Sequence, residues 1–79
     1  MGKKEKLLEK ARYSAKNLRF DELLKLAEYH DFIFKRQKGS HIMMKHRDKP
    51  IFMNFQNKNG EAKPFQVKQL LSAIDEYNL

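Results

Sequence analysis

The sequence predicts an α+β domain: a three-stranded antiparallel sheet with helices on one face, in the order α-α-β-β-β-α. Three observations lead there. Apolar residues recur at three- and four-residue spacing as far as His30, the period falls to two between Phe32 and Gln56, and the longer spacing returns after Pro64. Three successive strands joined by short turns can only form a meander, whose apolar side the helices must cover.

Each element has its own justification. Residues 4–13 place Leu7, Leu8 and Ala11 on one side, with Ala15 continuing it and lysines opposite, as in an amphipathic helix. Residues 14–18 connect it to a second helix running to His30, with Asp21 as the expected cap and Leu23, Leu24, Leu26 and Ala27 as the buried stripe. In the first strand Phe32 and Phe34 are expected on one face and Ile33, Lys35 and Gln37 on the other. Gly39 ends that strand and Ser40 to His46 forms the second, with Ile42 and Met44 inward and His41, Met43 and Lys45 on the open face. A bulge at Gly39 would alter this parity. Arg47 to Pro50 makes a turn, and the third strand runs from Ile51 to Gln56 with Ile51, Met53 and Phe55 together. Asn57 to Gly60 is a strong turn signal. Pro64, suited to a first helical turn, opens a last helix with Val67, Leu70, Leu71, Ile74 and Tyr77 on its apolar side.

Composition limits the function. Seventy-nine residues make one small domain that buries roughly 60% of its unfolded surface, with no room for a deep cavity or a regulatory domain. The chain has no cysteine, which removes disulfides and thiolate zinc sites. No apolar run is long enough for a membrane span or resembles a signal peptide, so a cytoplasmic protein without membrane association is expected. The net charge of +7 falls in two blocks. Residues 1–20 and residues 32–49 each carry a balance of +5, separated by an acidic stretch at 21–31. Two basic blocks suit a polyanion partner, and they equally suit a solvated surface.

Catalytic candidates are few. His41 and His46 are five apart and point to opposite faces of a regular strand, with no carboxylate cluster nearby, so no metal site or other cofactor is expected. Glycine-rich phosphate loops are absent. A serine hydrolase built on Ser40 would lack an oxyanion hole, and no helix presents the Arg, Asn and Gln pattern of a DNA-recognition helix. What remains is His41, beside Lys38 and Lys45 in QKGSHIMMKH. An imidazole, with a reference pKa of about 6.5, can move a proton near neutral pH, and RNA brings its own 2′-hydroxyl nucleophile. One positioned base with cations around the phosphate would then suffice. On the residues alone, His41 is either that base or a surface histidine in a basic strand.

Three stretches, NLRFDELLKLAE, FKRQKGSHIMMKH and NFQNKNGEAKPFQVKQLL, together resemble the HicA toxins of bacterial type II toxin–antitoxin pairs. The match runs from about Asn17 to Leu79, which divides the chain into an N-terminal helical extension, residues 1–16, and a HicA-like domain, residues 17–79. The resemblance implies a fold similar to a double-stranded-RNA-binding domain. It also implies a ribonuclease that cleaves mRNA as a toxin, free as a monomer and silenced in complex with a HicB-like antitoxin. It assigns the catalytic histidine to the Gly-Ser-His step, hence to His41. Many members read GSHH, whereas Ile42 stands second here, so a weakened or inactive RNA-binding module of the same fold is the alternative. For RNA binding, Lys58, Lys63 and Lys68 surround the start of the last helix, where free N–H groups and the dipole favour an anion. Lys38 and Lys45 would grip the backbone from across the sheet. Gly39 itself reads as a structural residue.

Overall fold

The computed structural model describes residues 2–79. Its elements are α1 (Lys3–Tyr13), a short 3₁₀ turn (Ala15–Asn17), α2 (Phe20–Tyr29), β1 (Phe32–Lys38), β2 (His41–His46), β3 (Phe52–Lys58), β4 (Glu61–Ala62) and α3 (Pro64–Tyr77). The α+β class and the order of helices and long strands agree with the sequence. The strand count does not. The sheet has four antiparallel strands in the order β1-β2-β3-β4.

The fourth strand follows from its turn. Asn59 and Gly60 both take positive φ, 54° and 85°, the geometry of a two-residue hairpin that Asn-Gly adopts with little strain. Asn57 accepts the Gly60 N–H through Oδ1 at 2.6 Å, closing the turn. The chain then pairs back only as far as Ala62, because Pro64 commits it to α3. The outer edge of this strand is not left bare. The Ala62 N–H donates to the Leu18 carbonyl, and the Phe20 N–H donates to the Gly60 carbonyl. The segment leading into α2 thus closes the sheet there.

One face of the sheet holds the core. Phe32, Ile42, Met44 and Phe55 meet Leu18, Leu23, Leu26, Val67 and Leu70 from the helical side. Fully burying each such side chain contributes about 1.5–3 kcal/mol. α1 joins this core through Ala11, which is fully buried, with Leu7 and Leu8 packed beside it. Two ion pairs hold it outside: Arg12 to Asp75 of α3 at 2.6 Å, and Lys10 to Glu22 of α2 at 2.8 Å. Helices do not reach the outer half of β1, so Phe34, which shares the core-side register with Met44, stays 54% exposed.

Several boundaries differ from the sequence expectation for local reasons. α2 starts at Phe20, not after Asp21, because the Glu22 carboxylate accepts the Arg19 N–H at 3.0 Å and fixes the first turn one residue earlier. Burial would raise the Glu22 pKa, but hydrogen bonds from Lys10 and from the Arg19 N–H outweigh it and hold the carboxyl below its usual range. On α3, Tyr77 is exposed, and its expected place on the buried side belongs to Ala73 and Gln66. Gln66 is buried because its Oε1 accepts the Gln56 N–H at 2.8 Å, satisfying a β3 edge amide that β4 is too short to reach.

The largest departure is in β1. The register slips between Phe34 and Arg36, so Lys35 is an extra residue in a β-bulge. Gly39 ends the strand as expected, in a hairpin turn, Gly39–Ser40, entered at φ 60°, and the bulge that alters the parity lies at Lys35 instead. Because of the slip, Arg36 and Lys38 pair with Met43 and His41 on the open face, and Gln37 pairs with Ile42 on the core side. The expected parity of Gln37 is therefore reversed.

Candidate functional site

The open face is made by alternation. β2 sends Ile42, Met44 and His46 inward and His41, Met43 and Lys45 outward, in agreement with the sequence. Across from them β3 contributes Gln56, Asn54 and Phe52 to the same face, opposite His41, Met43 and Lys45 in turn.

At one end of this face a groove of about 880 Å³ runs between the β1–β2 hairpin and β3. The segment Arg36 to His41, Gln37 included, lines it together with Met43 and Asn54. Gly39 holds its rim: only a residue at ease with positive φ turns the chain there, and a Cβ would meet nothing within 4 Å, so the constraint is conformational. The Asn57 N–H donates to the Ser40 carbonyl at 2.8 Å and ties the hairpin to β3.

His41 is exposed in this groove, and its Nδ1 lies 3.1 Å from Asn54 Oδ1. A carbonyl oxygen can only accept, so in this arrangement Nδ1 carries the hydrogen, and in the neutral ring Nε2 keeps its lone pair. Cations come from Lys38 and Arg36. The other two histidines are structural. His46 is buried, packs edge-on against Phe32 at 5.3 Å, and accepts the Asp48 and Lys49 N–H groups on Nδ1 at 3.1 Å each. It thereby shapes the Arg47–Pro50 turn. His30 is buried at the end of α2, and among the described residues neither ring nitrogen has a hydrogen-bond partner. Desolvation, then the nearby Lys4 charge, pushes its pKa below the usual imidazole value.

The five lysines singled out in the sequence do not form one cluster. Lys38 shares the groove with His41. Lys45 is on the same face but four residues along the strand, roughly 13 Å away. Its Nζ donates to the His46 carbonyl at 3.1 Å and lies 5.9 Å above the Phe52 ring. Lys58 and Lys63 line a second groove at the start of α3, of about 440 Å³, together with Lys16 and Glu61. Lys68 faces a third, of about 530 Å³, between β3 and α3. Lys68, one turn on, lines a different groove from Lys58 and Lys63, and Phe65 stands between the two.

Sequence reasoning missed Arg36 and Asn54. Arg36 reaches the open face only because of the bulge, for which the sequence carries no signal. Asn54 was findable: it lies diagonally across from His41 once the β2–β3 register is known. Among the described residues no three His, Cys, Asp or Glu side chains come together in a metal-ligating group. Among the same residues no helix is long and apolar enough to cross a membrane.

A basic groove with one oriented imidazole lies on the uncovered face of this small α+β sheet, a surface whose charge suits a polyanion. The particular family comes from comparison. The family model described as HicA toxin of bacterial toxin-antitoxin matches residues 20–75, from the first residue of α2 almost to the end of α3. The chain belongs to the HicA toxin family, and membership implies a cognate antitoxin. No curated protein and no solved structure matches it significantly.

Proposed function

We propose that this chain is an mRNA-cleaving endoribonuclease, the toxin of a type II pair, acting in the cytoplasm through His41 and without a metal. Nε2 of His41 takes the proton from a ribose 2′-hydroxyl as that oxygen attacks the adjacent phosphorus. The new O2′–P bond forms while the P–O5′ bond breaks, leaving a 2′,3′-cyclic phosphate and, with a proton from water, a 5′-hydroxyl. Lys38 and Arg36 offset the charge that develops on the phosphorane oxygens. Asn54 is a positioning residue that fixes the tautomer and the plane of the ring.

The observation carrying this reading is the contrast among the histidines: His41 alone stands exposed in a cationic groove with one nitrogen oriented and the other free. Ile42 bears on the alternative of a weakened module. It is buried on the core side, so a second histidine there would point away from the groove, and its replacement takes nothing from the surroundings of His41. The Lys58–Lys63 groove, with its helix N-terminus, suits an RNA backbone gripped as in a double-stranded-RNA-binding domain, with residues 17–79 as the working unit and residues 1–16 as an extension. Silencing by a HicB-like antitoxin would follow from covering the basic open face with acidic groups. The test is cleavage of a defined RNA by wild type and His41→Ala, with RNA binding and melting measured alongside. A variant that folds, binds RNA and no longer cuts supports the reading. One that cuts at the wild-type rate refutes it.

A further inference from the structure

We propose that the groove between β3 and α3 is a base-stacking subsite for single-stranded RNA, with Phe52 and Phe65 as its platforms. This rests on the RNA-cleaving reading above and adds to it where the nucleotides beside the cut are held, and in what form.

Phe52 and Phe65 are 60% and 56% exposed, an uncommon presentation for phenyl rings in a chain with so small a core. They line one groove with Met53, Lys68 and Gln69. Each ring has an ammonium group above it: Lys45 Nζ lies 5.9 Å from the Phe52 centroid, and Lys63 Nζ lies 5.9 Å from the Phe65 centroid. Among the described residues none of Lys45, Lys63 and Lys68 is within 4.0 Å of a carboxylate. Glu76 lines the far part of the groove as its one acid.

Flat apolar surfaces bordered by unpaired cations match the two parts of a nucleotide, base and phosphate, at the same spacing. A protein partner would have to bring a carboxylate to each of three ammonium groups while burying the same two rings, a pairing that every nucleotide supplies with its own phosphate and base. Position adds to the case. Asn54, which holds His41, and Phe52 are successive residues on the open face of β3, so this groove continues the catalytic one, roughly 13 Å further along the sheet. A strand of RNA whose scissile phosphate sits at His41 would run directly onto Phe52. Bases paired in a duplex are already stacked and cannot use these rings, so the subsite selects unpaired RNA.

The probe is a 2′-O-methyl oligonucleotide carrying 2-aminopurine. It has no free 2′-hydroxyl, so binding is read whether or not the protein cuts. With the full chain, the fluorophore should be quenched on binding. In the double variant Phe52→Leu/Phe65→Leu, which keeps apolar bulk but no ring, the quench should vanish and single-strand affinity should fall about tenfold or more. Affinity for the same sequence as a duplex should not change. Equal single-strand affinity in wild type and double variant overturns the subsite while leaving the parent reading intact. Failure of wild type to bind any RNA overturns both. If the double variant instead loses a co-expressed acidic protein and keeps its RNA, the groove is a protein dock and the subsite is wrong.

Discussion

His41 and His46 lie on the same six-residue strand and have opposite surroundings. His41 faces water, cations and one asparagine. His46 faces Phe32 and spends a ring nitrogen on two backbone amides of the next turn. The chemistry of the side chain is the same in both, so alternation and neighbours alone make one available for proton transfer and the other a core residue. A histidine near basic residues is therefore not informative until its face is known.

The sharpest way to break this comparison is to remove each ring. His41→Ala should lower RNA cleavage by a hundredfold or more, about the value of a positioned general base, and melt close to wild type. His46→Ala should do the reverse. Losing the ring leaves a cavity and two amides without their acceptor, costing about 2–4 kcal/mol in denaturant unfolding. It is for this reason a poor inactive control, although it lies on the face away from the groove. A His46→Ala protein that unfolds like wild type would show that the buried histidine carries no structural load.

Asn54→Ala sharpens the same contrast at smaller scale. Cleavage should fall about tenfold at unchanged stability, the worth of one oriented neutral hydrogen bond, and Asn54→Asp should recover part of it by accepting from Nδ1. An unchanged rate in Asn54→Ala would mean the ring needs no orienting partner. His30 extends the comparison to pH. Its folded pKa is depressed, so the stability it contributes is fully present above the unfolded value of about 6.5 and is lost as pH falls through the lower folded value. Melting temperature should drop between about pH 7 and pH 5, and His30→Leu should flatten that drop. The smallest effect belongs to Arg12→Gln. Its hydrogen bonds hold the Asp75 carboxyl below its usual range, yet both groups are exposed, so only a slight, salt-sensitive fall in stability is expected.

What the sequence revealed and what it hid have physical reasons. The inward and outward sides of β2 were legible because Ile42, Met44 and His41 alternate in hydrophobicity over an unbroken strand. Pro64 announced α3, and the leucines of α2 announced its buried side. β4 was missed although Asn59–Gly60 marks a hairpin, because two residues before a proline carry no period. Gln66 and Asn54 were missed for another reason: each acts through a partner ten or more residues away, set by register. Arg36 was hidden by the bulge, which leaves no compositional trace in FKRQK.

That bulge also sets what change of length the groove can absorb. Lys35 is the spare residue that lets Arg36 and Lys38 share a face with His41. Substituting Lys35 would change one exposed side chain. Deleting its single codon would leave Phe34, Arg36, Gln37 and Lys38 in simple alternation against Met44, Met43, Ile42 and His41, with both cations still on the face of His41. For this toxin, then, one missing triplet at Lys35 would straighten the strand and leave the histidine with its charges.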